Sequence, residues 1–108
     1  MAGWVYMLTS ARNGTLYLGV TSELQGRVTE HRTGINSGFA TRHRCTSLVW
    51  YERHDNIVEA IAREKQLKKW RRAWKLHLIE GFNPDWLDLF EVCYDRDNPS
   101  DVIRNRGG

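Results

Sequence analysis

Only two cysteines and two prolines occur in the 108 residues, and no apolar run approaches the ~18 residues that a membrane span requires. Cys45 and Cys93 stand far apart and outside any CxxC pair, and the four histidines share no Cys/His spacing suited to zinc. A disulfide scaffold and a zinc finger are therefore excluded. Met1–Ser10 lacks the charged start and long apolar stretch of a secretory signal, so the expectation is a cytoplasmic protein without membrane contact. Acidic residues are scarce in the first 80 positions, which carry thirteen Lys and Arg against seven Asp and Glu; residues 81–108 reverse the balance, with three against six. A basic body with an acidic tail points towards a polyanionic partner, nucleic acid first among them.

What the chain does have is ordinary globular composition, 41% apolar and 27% charged, with bulky packing material in five Trp, four Tyr and three Phe. That length and composition specify one compact core. The domain is placed at residues 1–92, with a polar, flexible tail over residues 93–108. The oligomeric state is left open.

Period-2 alternation over Gly3–Thr9 predicts a strand with both faces buried, Trp4, Tyr6 and Leu8 on one side and Val5 and Met7 on the other. Ser10 to Gly14 ends in an Asn-Gly pair that tolerates positive φ, and Leu16–Val20 supplies the second strand of a hairpin. Ser22 with Gln25 fits a capping box, and Gly34 is placed to close a helix over Glu23–Thr33. Gly34–Cys45 reads as a loop and Thr46–Arg53 as a third strand. From Ile57 to Glu80 the helical period returns, as one bent helix or two. Asn83-Pro84-Asp85 is expected to start a short final helix, with Trp86, Leu87 and Phe90 packing back on the body. The predicted fold is an α/β (α+β) sandwich, a three-stranded mainly antiparallel sheet flanked by helices in the order β-β-α-β-α-α, plus the short C-terminal helix.

Sequences tend to break local rules at functional sites, and polar residues intrude on three apolar patterns here. Leu24, Arg27, Val28 and His31 share one stripe of the first helix, so Arg27 and His31 should point inward. Ile57, Ala60, Ile61, Glu64 and Leu67 form a second stripe with a carboxylate in its middle. Glu59 falls on the solvated side, paired with Arg63 at i+4. A buried Glu64 needs a cation, either Arg27 in an ion pair or a bound metal. A four-residue hairpin loop pairs Tyr6 with Gly19 and sets Tyr17 opposite Leu8, which puts both tyrosines on one face as diagonal neighbours; a two-residue Asn13-Gly14 turn keeps them on that face but further apart. Gly19 then leaves space beside Tyr6 for a substrate. Singly, each residue has an ordinary packing role; together they make a constellation at one sheet–helix interface suited to phosphodiester chemistry.

Trp4-Val5-Tyr6, Tyr17-Leu18-Gly19, Arg27 with His31, and Glu64 in Glu59-Ala60-Ile61-Ala62-Arg63-Glu64 together resemble the GIY-YIG nuclease superfamily, in particular small stand-alone bacterial members related to the nuclease domain of the excision-repair subunit UvrC. The resemblance spans about residues 3–80. It implies a metal-dependent DNA endonuclease, connected by kinship with DNA repair, whose catalytic set is Tyr6, Tyr17, Arg27, His31 and Glu64. Glu64 is then the protein ligand of one Mg²⁺ or Mn²⁺. Trp4 replaces a Gly frequent in the first motif, and the Asn that many members carry a few turns after the Glu is absent from Leu76–Ile79, Asn83 being the nearest.

Either tyrosine could serve as base or water-orienting group, with Arg27 as phosphate clamp and His31 as proton shuttle. Further DNA contacts are assigned to Arg32, Arg42, His43 and Arg44 around the loop and to Lys68, Lys69, Arg71 and Arg72. Trp70 and Trp74 at i, i+4 are either core or an aromatic surface for stacking bases. The DNA could be single-stranded, branched or duplex, with unpaired strands preferred. The alternative functions are a non-catalytic nucleic-acid-binding module on the same scaffold, and a structural interaction protein using the Trp-rich C-terminal segment.

Overall fold

A computed structural model describes residues 1–34 and 38–91. The proposed domain boundary at residue 92 and the tail lie outside the described residues. The elements are β1 (Gly3–Thr9), β2 (Leu16–Thr21), α1 (Leu24–Thr33), α2 (Phe39–Arg42), β3 (Ser47–His54), α3 (Ile57–Lys68) and α4 (Arg72–Phe82). The sheet is antiparallel in the order β2-β1-β3. β1 is central, which explains why its alternating residues are buried on both faces.

The hairpin has the expected register: Tyr6 opposes Gly19 and Leu8 opposes Tyr17. Asn13 adopts positive φ, 58°, and the loop closes through Ser10 N–H to the Thr15 carbonyl at 3.1 Å. On the other side of β1 a bulge between Met7 and Leu8 interrupts pairing with β3.

The two sheet faces support separate cores. Tyr6, Leu8, Leu48 and Tyr51 pack with Leu24 and Val28 of α1, Ala40 of α2, Cys45 and Leu89. Val5, Met7, Val49 and Trp50 pack with Ala60 and Leu67 of α3, Ile79 of α4 and Trp86. Gly3 permits the second contact, since a Cβ there would stand 2.5 Å from Ile57 Cδ1 and 2.9 Å from Ala60 Cβ. α3 starts beside β1 at Gly3, and Arg72 beyond it donates to the Asn13 and Gly14 carbonyls at 2.8 and 2.6 Å. α3 therefore runs along the sheet towards the hairpin tip, over β1 and β2.

Three local expectations differ from the structure. α1 is preceded by Glu23 without a side-chain cap; Thr21 Oγ1, not Ser22, accepts a main-chain bond there, from Glu23 N–H at 3.0 Å. Gly34 does close the helix, at φ 74°. The loop after it contains the four-residue α2, too short to leave a period in sequence. The Ile57–Glu80 stretch is two helices, broken at Lys69–Arg71.

The short C-terminal helix is not formed among the described residues. Asn83, 4% exposed, donates through Nδ2 to the carbonyls of Val49 and Leu87 at 3.1 and 2.8 Å and accepts from Leu87 N–H at 3.0 Å. Trp86 takes a φ of 55°, which a helix does not accommodate. The chain instead returns as an extended clamp. Leu89 N–H bonds the Leu48 carbonyl at 2.7 Å, and Asp88 Oδ1 accepts from Leu48 N–H at 3.2 Å. Of the expected packing residues Trp86 is buried and Phe90 half-buried against the first core, whereas Leu87 is exposed and the unforeseen Leu89 is buried instead.

Arg32 belongs to this clamp. Its guanidinium pairs with Asp88, donates to the Thr46 carbonyl at 3.0 Å and lies 4.6 Å from the Phe90 ring centroid. Because the ion pair is about one-third exposed, solvent screening leaves it a small contribution, and the cation–π contact adds a similar one. Arg32→Ala should thus lose about 1 kcal/mol, read as a drop of roughly 4–8 °C in Tm. An unchanged Tm with a large loss of DNA affinity would return Arg32 to the role of DNA contact.

Candidate active site

β1, β2 and α1 bring three rings together. Tyr6, 1% exposed, places its hydroxyl 3.1 Å from His31 Nε2. Its ring centroid lies 6.1 Å from that of Tyr17, and Tyr17 lies 5.0 Å from His31. The shared face follows from the register, and His31 joins because it falls on the same side of α1 as Leu24 and Val28. The space beside Gly19 is not open, as its absent side chain had implied. A Cβ there would stand 2.6 Å from the Tyr6 hydroxyl and 2.9 Å from Tyr17 Cε2. Gly19 is thus the recess in which the Tyr6 phenol lies.

Burial, reinforced by the adjacent Tyr17 and only partly opposed by Arg27, pushes the Tyr6 hydroxyl far above the usual tyrosine range. Burial and then the positive charge of Arg27 hold His31 below the usual histidine range. At neutral pH the pair is therefore a protonated phenol and a neutral imidazole. The hydrogen bond joins the phenol oxygen to Nε2 whichever ring nitrogen carries the imidazole proton.

Arg27 does not point inward. Its side chain is 46% exposed and pairs with Glu30 at 3.7 Å. At 100° per residue it falls on the flank of the Leu24–Val28–His31 stripe, and a long guanidinium stem reaches water from there. Its charge still acts on both Tyr6 and His31, from a partly solvated position one turn before His31 on α1.

Glu64 is buried in the α3 stripe as expected, but its cation is neither Arg27 nor required to be a metal. Lys68 Nζ lies 2.9 Å from Glu64 Oε2, and its own side chain is 58% exposed. The five residues also do not share one interface. Ala60 and Leu67, which flank Glu64 on its stripe, pack on the Val5–Met7 face, whereas Tyr6 lies in the opposite core. β2 is the outer strand on this side, so the two layers adjoin around its edge. Glu59 is exposed, but Arg63 turns from it to Glu52 and Gln66, at 3.0 and 2.8 Å.

Among the described residues no group of three or more His, Cys, Asp or Glu side chains could cage a metal. One hard carboxylate oxygen donor, opening to solvent beside a lysine, fits an ion that keeps most of its waters and takes its remaining ligands from a phosphate. That is the usual habit of Mg²⁺.

Around this centre, Arg42, His43, Arg44, Lys69 and Arg71 are exposed, and Lys68 is occupied by Glu64. Arg72 is committed to the hairpin tip, for which sequence spacing held no signal. Sequence reasoning also passed over Phe39. It is 43% exposed, nearly parallel to Tyr17 at 6.4 Å, and 4.2 Å from His43. The signal was a lone aromatic residue within a polar, Gly-rich loop. Asn83, with its amide spent on Val49 and Leu87, serves the fold.

Residues 2–77 match the family described as the GIY-YIG catalytic domain. A UPF0213 protein of Staphylococcus saprophyticus is 30% identical over 76 residues, 70% of this chain and 92% of that protein. One of Staphylococcus aureus is 31% identical over 77 residues, 71% and 93% of the two chains. The solution NMR structure of a UPF0213 protein from Bacillus halodurans covers 82% of this chain and 93% of its own, with a TM-score of 0.50 and 22% identity, a likeness of fold. With the paired tyrosines, the Arg27–His31 helix and Glu64 each on its expected element, the chain belongs to the GIY-YIG family of nucleases, whose substrates are nucleic acids.

Proposed function

We propose that the protein is a DNA endonuclease that hydrolyses phosphodiester bonds with the help of one Mg²⁺ or Mn²⁺ held by Glu64. The observation that supports this best is the Tyr6–His31–Tyr17 cluster, with the charge of Arg27 acting on it and a buried carboxylate in the adjoining layer. A DNA strand along the β2 edge would meet Tyr17 from one core and Glu64 from the other.

Each residue has a role fitted to its surroundings. Tyr6, protonated and buried, is hydrogen-bonded to His31 Nε2 and fixes the ring. Tyr17, half-buried on the edge strand, orients the attacking water and, as the phenolate, accepts its proton to become the phenol. Arg27, partly solvated, draws the phosphate in and balances the charge of the pentacoordinate state. The ion, when bound, supplies Lewis-acid stabilisation of the leaving oxygen. Arg42, His43, Arg44, Lys69 and Arg71 remain as the exposed basic contacts to the DNA backbone.

The substrate is DNA with unpaired bases. An exposed basic loop and one basic elbow make a small footprint for gripping continuous duplex, whereas a flexible strand can fold around a sheet edge. Labelled single-stranded, flap and blunt duplex DNAs, incubated with the protein in Mg²⁺ or Mn²⁺ and in EDTA, test both points. Cleavage should require the ion, be faster on unpaired strands, and weaken steeply with salt. DNA binding without cleavage in either ion would favour the non-catalytic module; faster cutting of blunt duplex would overturn the substrate preference.

A further inference from the structure

Away from the tyrosine cluster, at the elbow between α3 and α4, Trp70, Trp74, His77 and Leu78 line a cleft of about 400 Å³. The two indoles meet edge to face, 6.1 Å between centroids at 84°. They do not share one fate. Trp70 is half-buried and packs against the α3–α4 core, while Trp74 is 53% exposed. A large aromatic left in water beside an apolar cleft has no role in the core and needs another explanation.

The surroundings favour a particular occupant. Between Lys65 and Lys75 the chain has six Lys and Arg and no Asp or Glu. The Arg71 guanidinium carbon lies 5.7 Å from the Trp74 ring centroid, and that of Arg63 lies 5.5 Å from Trp70. Arg63 is itself anchored by Glu52 and Gln66, so the inner wall is held in place before any ligand arrives. An apolar slot with π-faced walls and the exposed cations Lys69 and Arg71 on its rim is complementary to a flat aromatic ring carried on a polyanion. It is a poor match for an apolar peptide, which would leave the rim charges unanswered.

We propose that the Trp70–Trp74 cleft receives an unpaired nucleobase of the DNA strand, held against Trp74 while Arg71 and Lys69 face the neighbouring phosphates. This rests on the reading of the chain as a protein acting on DNA and extends it with a second contact outside the reacting groups. Trp70 lies just past the end of α3, two residues beyond the Lys68 that pairs with Glu64, so the anchored base would lie on the same side of the molecule as the proposed metal ligand. A paired base, stacked inside a duplex, cannot enter the slot without first being extruded. The cleft thereby supplies a physical source for the preference for unpaired strands.

The test uses the full chain in EDTA, with a short oligothymidylate, an abasic strand of equal length, and tryptophan fluorescence as the reporter. The wild type should bind the thymidylate about ten-fold more tightly than the abasic strand, with quenching only by the former. Trp74→Ala, a change at an exposed position, should erase that difference and leave the affinity for the abasic strand and the Tm unchanged; Trp74→Phe should keep most of it. Retention of the difference by Trp74→Ala would overturn the proposal. So would self-association of the DNA-free protein that Trp74→Ala abolishes, which would assign the cleft to a second copy. Cleavage of the same strands in Mn²⁺ separates the two readings. Base-dependent binding without cleavage refutes the hydrolase and keeps the slot, and cleavage without base-dependent binding refutes the slot alone.

Discussion

Glu64→Ala should abolish DNA cleavage while leaving the fold and DNA affinity nearly intact. The carboxylate is buried between Ala60 and Leu67 in an otherwise apolar stripe, an arrangement that burdens folding with desolvation. Lys68 answers the charge, but as a half-exposed i+4 partner it returns little stability. Alanine removes the desolvated group and suits a helix interior, so the net change in stability should stay within about 1 kcal/mol. Cleavage, by contrast, should fall below detection, because the one hard oxygen donor proposed for the ion is gone. Glu64→Gln preserves the volume and removes the charge, and should be just as inactive in Mg²⁺. Single-turnover cleavage, thermal unfolding and DNA binding in EDTA, measured on the same samples, separate these effects. Wild-type cutting by Glu64→Gln would refute the metal assignment. Glu59→Ala, exposed and on the far side of α3, is the control and should change nothing.

The parts of the fold legible in the sequence were those with strong local rules. The alternation on either side of the turn puts Tyr6 and Tyr17 on one face in either register, and the four-residue loop Ala11–Gly14 makes them neighbours. Helical phase likewise identifies His31 and Glu64 as buried. Phase cannot say how a long side chain on the flank of a stripe will bend, so Arg27, assigned inward, instead reaches solvent beside Glu30. Nor does it say from which element a buried carboxylate draws its cation. A buried Glu64 implies a cation from across the molecule or a metal, whereas its partner in the fold is one turn away, at Lys68. Placing all five residues at one interface failed because α1 and α3 cover opposite faces of β1, a fact that lies in the chain's topology. The expected helix after Pro84 was lost to tertiary bonding. The Asn83 amide gains three main-chain partners by staying outside a helix.

Tyr17→Phe should reduce the cleavage rate by about 10²–10⁴-fold, the usual contribution of a positioned proton acceptor, with DNA affinity in EDTA unchanged. Sequence alone leaves the two tyrosines equivalent; their environments do not. The Tyr6 hydroxyl is buried, its proton is held tightly by desolvation, and it is engaged with His31. A phenol so placed cannot become a base at neutral pH, and its service is to orient the imidazole. Tyr17 lies on the edge strand, half-buried, between His31 and the exposed Phe39, where water and a phosphate can reach it. Tyr6→Phe should therefore slow cleavage by at least ten-fold less than Tyr17→Phe, while losing about 1 kcal/mol of stability with its hydrogen bond. pH acts on the same pair. Because the folded state lowers the His31 pKa, folding disfavours its proton. The resulting stability is present above the ordinary histidine value near 6.5 and declines as pH falls towards the lowered one. In Tyr6→Phe the phenol no longer stabilises the neutral ring, so the imidazole should protonate more readily and activity should be lost at a higher pH on acidification than in the wild type. A Tyr6→Phe enzyme slower than Tyr17→Phe, with an unchanged acid limb, would reverse the assignment of the two tyrosines.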